Sequence, residues 1–164
     1  MEIREFTPAD GDELFEAFSG VVERGEGFPQ QAPLTWADFT DYWIAHSSAV
    51  MVAIVDGHVA GAYYVKPNFV GRAAHIANAG YFVVPEQRGR GIGRALVVHS
   101  LEEAARAGFD AMQFNLVFES NPARALYEEL GFRQLGLIPR AVEGENAVIY
   151  WRALREGSAA GPQS

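Results

Sequence analysis

The stretch Tyr81-Phe82-Val83-Val84-Pro85-Glu86-Gln87-Arg88-Gly89-Arg90-Gly91-Ile92-Gly93-Arg94 joins an apolar run to an amphipathic one through three glycines interleaved with three arginines. If the first run is a strand and the second a helix, the junction exposes the helix's first N–H groups, which have no intrahelical acceptor and sit at the positive end of the macrodipole. Glycine lets a phosphate approach that backbone without a Cβ in the way, and arginine adds charge-assisted donors. The chemistry expected of Arg88, Gly89, Arg90, Gly91, Ile92, Gly93 and Arg94 is therefore capture of a pyrophosphate. Two familiar versions fail. A P-loop needs Gly-Lys-Ser/Thr, which is absent. A dinucleotide G-x-G-x-x-G read from Gly89 meets Arg94, and read from Gly91 it meets Leu96, where glycine is required.

Other polar residues stand out against apolar surroundings. Asn78 and Asn115 fall in runs that read as buried strands, where an amide needs partners. Asn121 precedes Pro122 and is placed to cap a short helix carrying Tyr127. His46, His58, His75 and His99 show no metal-ligand spacing, so no metal site is expected.

The elements that must position these residues follow from periodicity. Thr7-Pro8-Ala9-Asp10 reads as a helix start, followed by Leu14, Phe15, Phe18, Val21 and Val22 at helical spacing. Residues 25–33 break the pattern, and Thr35 opens a second helix with Phe39, Tyr42 and Trp43 on one stripe, ending near His46 and Ser47. Strands are expected at 49–55 and 59–65 around an Asp56-Gly57 turn, and at 75–84 after a loop over 67–72. A helix over 91–106 stops at Gly108; strand 111–118, a short helix to Leu130, and strands 132–138 and 147–151 complete the pattern, the last two joined by a turn over 143–146. The order α-α-β-β-β-α-β-α-β-β describes one mixed α/β domain over 1–155, of α+β type and mostly antiparallel. The helix between strands 75–84 and 111–118 demands a parallel pair there. Gly157 to Ser164 reads as a disordered tail.

With 164 residues, such a domain buries a core without staples. The net charge of −8, from 13 Lys+Arg against 21 Asp+Glu, argues against nucleic-acid and anionic-membrane partners. No apolar run is long enough for a membrane span, no signal peptide is visible at the N-terminus, and a cytoplasmic address is expected. The absence of cysteine removes disulfides and thiolate nucleophiles. Of the 13 cationic residues, Lys66 is the one lysine.

The segment Arg88-Gly89-Arg90-Gly91-Ile92-Gly93 after Val-Val-Pro fits R-x-x-G-x-G and resembles the coenzyme A pyrophosphate loop of the Gcn5-related N-acetyltransferases. One strand later, Asn121-Pro122-Ala123-Arg124-Ala125-Leu126-Tyr127-Glu128-Glu129-Leu130-Gly131-Phe132 resembles that family's second block, N-x-x-A-x-x-x-Y-x-x-x-G-F. The likeness implies a mixed sheet with a splayed parallel strand pair, flanked by helices, and acetyl-CoA as co-substrate. The backbone of Phe82, Val83 and Val84 would hold the pantetheine arm, an N–H of Val83 or Val84 would polarise the thioester carbonyl, and Asn121 would help fix the arm. Tyr127 stands at the general-acid position; with an ordinary pKa near ~10 it is protonated at neutral pH and able to supply a departing thiolate. No carboxylate lies on the strand 75–81, so a water relay to His75, Glu119 or Glu86 takes the place of a dedicated base. Asn78-Ala79-Gly80 with Phe114-Asn115-Leu116-Val117-Phe118 is similar to fungal acetyltransferases of proline analogues such as azetidine-2-carboxylate, which implies Asn78 and Asn115 as substrate contacts. The acceptor expected is thus the amine of a small molecule, an amino acid or analogue, with a homodimer as the family's tendency. A protein or peptide acceptor and a non-catalytic acyl-CoA sensor are the alternatives.

Overall fold

A computed structural model describes residues 1–155; the expected tail over 156–164 lies outside the described residues. Seven strands form one sheet in the order β1-β2-β3-β4-β5-β7-β6. They are β1 (Glu2–Glu5), β2 (Ala49–Val55), β3 (His58–Pro67), β4 (Ile76–Val83), β5 (Ala111–Phe118), β6 (Arg133–Val142) and β7 (Glu145–Ala153). The helices are α1 (Gly11–Glu23), α2 (Trp36–Phe39), α3 (Ile92–Arg106) and α4 (Arg124–Glu129). The expected fold class is observed: the sheet is mostly antiparallel, and β4 and β5 are the parallel pair, in register at Ile76↔Ala111 and Ala77↔Met112. The described residues divide into two compact units, 1–66 with 80–100, and 67–79 with 101–155.

In the first unit, α1 buries Leu14, Phe18, Val21 and Val22, a stripe at helical spacing. Phe18 is its centre, with ring centroids 5.0 Å from Phe28, 5.2 Å from Trp43 and 5.9 Å from Phe82. The Thr35 hydroxyl accepts the Asp38 N–H at 3.1 Å and starts α2, as its position suggests. Beyond Phe39 the backbone widens into a π-helical segment, Thr40–Ala45, which carries Tyr42 and Trp43. The wider turn leaves no mark in the hydrophobic spacing.

Thr7-Pro8-Ala9-Asp10 begins helical structure as a single 3-10 turn, Pro8–Asp10, ahead of α1. Asp10 is buried; its two oxygens accept from both terminal nitrogens of Arg4 at 2.8 Å, and one also accepts the Thr7 N–H at 2.8 Å. Hydrogen bonds from Arg4, outweighing the effect of burial, hold the Asp10 carboxyl down to about 2. Arg4 belongs to β1, a strand that the periodicity reading omits. Its sequence Glu-Ile-Arg-Glu lacks an apolar run because it lies at the sheet edge, paired only with β2 (Ile3↔Ala53).

In the second unit, β5, β7 and β6 are antiparallel neighbours around Phe114, Phe132, Tyr127 and Tyr150. The Phe114 and Phe132 rings stack at 4.6 Å. Strands β6 and β7 run further toward each other than expected, so the turn shrinks to Glu143-Gly144, both at positive φ. The register of β5 against β7 shifts between Phe114 and Val117.

Candidate active site

The glycine-rich turn forms as its composition suggests. After β4, a 3-10 turn over Pro85–Gln87 leads through extended Arg88 to Gly89 (φ +77) and Gly91 (φ +81). Both glycines adopt the left-handed conformation that glycine takes without strain, and a Cβ at either would meet nothing within 4 Å. The first bond of α3 runs from Ala95 N–H to Gly91 C=O at 3.1 Å. The N–H groups of Ile92 and Gly93 therefore precede the helical ladder and have no intrahelical acceptor.

Gly93 separates functional from structural demand. Its φ is not positive, and a Cβ there would meet only Val83 Cγ2, at an ordinary 3.8 Å. Alanine would favour the helix by roughly 0.5–1 kcal/mol. Glycine at this place leaves open, beside two N–H groups with no intrahelical acceptor, the space a Cβ would occupy. That opening fits the approach of a pyrophosphate.

The arginines are not equivalent. Arg90 and Arg94 are exposed. Arg88 is tied down: Nε donates to the Val83 carbonyl at 3.3 Å, and its guanidinium pairs with the Glu26 carboxylate, which also accepts from Arg24 Nε at 2.8 Å. Burial would push Glu26 up, but the hydrogen bonds from Arg88 and Arg24 outweigh it and hold its pKa down. Arg88 thus buttresses the turn, a role that its place in the motif does not reveal.

The backbone ahead of the turn narrows an expectation. The Val84 N–H donates to the Ala60 carbonyl at 2.8 Å, so it is not free to polarise a thioester. Strand alternation sends the N–H of Val83 to the edge of β4 away from β3. Phe82 is buried against Phe18 and Trp43, and its carbonyl oxygen approaches so closely that a Cβ on Gly61 would lie 2.6 Å from it.

In the second unit, Tyr127 projects from α4 into an aromatic nest, with centroids 4.8 Å from Phe114, 5.8 Å from Phe132 and 5.9 Å from Tyr150. Burial first, and then Tyr150, push the phenol pKa well above its usual range. Tyr127 is accordingly protonated at any ordinary pH. Beside it, Arg124 Nε donates to the Tyr150 hydroxyl at 3.0 Å, which donates to Glu128 at 2.9 Å. Asn121 Oδ1 accepts the Ala123 N–H at 2.9 Å. The expected cap is thus an Asx turn set just ahead of α4, which begins at Arg124.

Asn78 and Asn115 do not form a buried pair. Asn115 is exposed, because the register shift between Phe114 and Val117 re-aims this part of β5. Its Oδ1 accepts from Asn68 at 3.0 Å and Gln113 at 3.1 Å, while its amide nitrogen donates back to Asn68. Asn68, in the loop before β4, gives no sequence signal of this role. Asn78 is half-buried on β4. His75, Glu86 and Glu119 are exposed. Among the described residues no group of three or more His, Cys, Asp or Glu side chains is placed to hold a metal, and no helix is long and apolar enough to cross a membrane.

The model of the acetyltransferase (GNAT) family matches residues 12–132. N-acetyltransferase aca1 of Schizosaccharomyces pombe is 33% identical over 137 residues, 73% of this chain and 66% of its own length. The chain spans 28% and 34% of two further curated relatives. A GCN5-related N-acetyltransferase from Kribbella flavida superposes with a TM-score of 0.86 at 33% identity, covering 93% of this chain and 96% of that one. A phosphinothricin acetyltransferase from Sinorhizobium meliloti, solved with acetyl-CoA, has the same fold, with a TM-score of 0.83 at 24% identity over 99% of this chain and 93% of its own. The chain belongs to the GNAT family.

Proposed function

We propose that the chain transfers an acetyl group from acetyl-CoA to the amine of a small molecule by direct attack. The observation that carries this reading is Gly93, a helix glycine that neither φ nor packing requires, where the N–H groups of Ile92 and Gly93 have no intrahelical acceptor. The coenzyme supplies the acetyl group as an activated thioester. Ile92 and Gly93 bind its pyrophosphate through their N–H groups, with Arg90 and Arg94 adding charge. The backbone of Phe82, Val83 and Val84 lines the pantetheine arm, and Asn121 helps fix it. The Val83 N–H polarises the thioester carbonyl. Tyr127 gives its proton to the thiolate that leaves as the amide bond forms. The chain has no cysteine, so no thiol ester on the enzyme intervenes.

Asn78 contacts the acceptor. Asn115 and Asn68 each keep one amide N–H outside their reciprocal pair and offer it to the same ligand. No carboxylate stands on β4, and His75, Glu86 and Glu119 face solvent, so the acceptor's proton leaves through water.

Thiol release from acetyl-CoA, measured against small amines, amino acids and peptides, tests the reading. The expected result is acceptor-dependent release with small amines and none above hydrolysis with peptides. Release with peptides alone would replace a small acceptor by a protein one. Coenzyme binding without release on any amine would leave a sensor domain.

A further inference from the structure

Strand alternation places Tyr64 and Lys66 of β3 on one face. The Lys66 ammonium lies 4.1 Å from the Tyr42 ring centroid and 4.4 Å from that of Tyr64, and it donates to the Tyr42 carbonyl at 3.0 Å. That is one of its three N–H donors. No carboxylate forms an ion pair with it among the described residues; Asp41 acts only through longer-range attraction. A half-buried cation without a counter-charge is costly, and burial pushes its pKa down.

More donors gather around it. The Tyr64 hydroxyl donates to the Tyr42 hydroxyl at 3.0 Å, leaving the Tyr42 hydrogen to give elsewhere. Trp43, 5.0 Å from the Tyr64 ring, is fully buried, and its indole N–H has no acceptor among the described residues. Tyr42 and Trp43 both belong to the π-helical segment, a rare conformation that concentrates at functional sites. In a protein of net charge −8, the one lysine thus sits on a ring whose hydroxyl hydrogen is not taken by Tyr64. A compact ammonium fits between two ring faces, where a planar guanidinium would stack on one of them.

The cluster abuts the strand of the proposed acyl site. A Cβ on Gly80 would lie 2.6–2.7 Å from Tyr64 ring and hydroxyl atoms, so Tyr64 rests directly on β4 there. Val83 follows three residues later, roughly 10 Å along the strand. The ammonium donates to one carbonyl and otherwise faces two rings, so it lacks an anionic partner, and with a phenolic O–H it matches the two oxygens of a monoanionic carboxylate. A phosphate would call for the backbone and arginine donors that the glycine turn provides.

We propose that the Lys66 ammonium and the Tyr42 hydroxyl receive the carboxylate of the acceptor, which makes the substrate class amines that carry a carboxylate. This rests on the acetyl-transfer reading above. Lys66 selects the acceptor and does not touch the reacting atoms.

The test uses the full chain with alanine and alaninamide, proline and prolinamide, and phenylalanine and phenylalaninamide as acceptors. Thiol release gives kcat and KM, and calorimetry gives the acetyl-CoA Kd. At least one free acid is expected to exceed its amide about tenfold or more in kcat/KM. Lys66→Gln raises KM for that acid roughly 10- to 100-fold, as loss of a charged hydrogen bond does, and collapses the preference. Its acetyl-CoA Kd stays at the wild-type value, and Lys66→Arg restores part of the preference. No acid exceeding its amide in the wild-type protein overturns the inference whatever the variants do, as does a Lys66→Gln protein that keeps the preference. Acetylation of the Lys66 side chain itself, seen as added mass on its peptide, also overturns it. Failure of the wild-type chain to bind acetyl-CoA would instead remove the acetyl-transfer reading.

Discussion

Gly80 and Gly93 both interrupt regular structure, one in a strand and one in a helix, and their reasons are opposite. At Gly80 a Cβ would fall 2.6 Å from the Tyr64 ring, so packing leaves no choice of residue. At Gly93 a Cβ would meet one atom at 3.8 Å, so packing leaves every choice and glycine remains. The first glycine serves the fold, whereas the second weakens the helix slightly and opens its N-terminus. What surrounds each glycine thus separates one that packing demands from one that packing leaves free.

The sharpest break in this contrast lies outside both glycines, at the chemistry itself. Tyr127→Phe removes only a hydroxyl and is expected to lower kcat about 10²- to 10⁴-fold in thiol release. The acetyl-CoA Kd should stay within about twofold by calorimetry. Because burial holds the Tyr127 proton above the ordinary phenol range, an alkaline fall in kcat below pH ~10 would speak against it as the acid. At the turn, Gly91→Asp places a carboxylate beside the phosphate site and should weaken acetyl-CoA at least ~100-fold. Gly91→Asn carries the same size and backbone strain without the charge, and should weaken it clearly less. Equal affinities for the two variants would argue that strain, not charge, matters there.

On the fold side, Gly80→Ala should destabilise by about 1–3 kcal/mol in urea unfolding, the usual cost of overpacking. Asp10 gives that side a pH signature. Its carboxyl is held at about 2, below its unfolded value, so its stabilisation is complete above pH ~4 and lost as pH falls toward 2. The loss should be about 1–2 kcal/mol after solvent screening, and Asp10→Asn should remove that part of the acid sensitivity. The smallest effect belongs to Gly93→Ala, with melting unchanged or slightly raised and acetyl-CoA weakened about tenfold. Unchanged affinity would place the pyrophosphate elsewhere.

The turn was legible because its demands are local: left-handed backbone at Gly89 and Gly91, a helix start, and no Cβ at Gly93. The short helix that carries Tyr127 was legible for the same reason. What escaped depends on partners distant in sequence. Glu2–Glu5 becomes a strand through β2, not through its own apolar content. Asn115 reads as buried until the shift in β5 turns it outward to Asn68. The pairing of Arg88 with Glu26, 62 positions earlier, leaves no trace in the motif. The Val84 N–H reads as available until Ala60 takes it. The π-helical turn that brings Tyr42 to Lys66 has no periodicity signal at all.

The contact of Tyr64 with Gly80 also bears on how the protein can change. A wall sealed by a ring against bare backbone admits no larger side chain at Gly80 and little rearrangement of Tyr64. If the acceptor binds as proposed, new preferences would then come from the segments that pack on Tyr64 from outside the sheet, the π-helical segment with Tyr42 and Trp43 and the turn-rich segment whose Phe28 meets Tyr42. A mutational library restricted to residues 25–46 should yield altered acceptor choice far more often than one of equal size spread along β3 and β4.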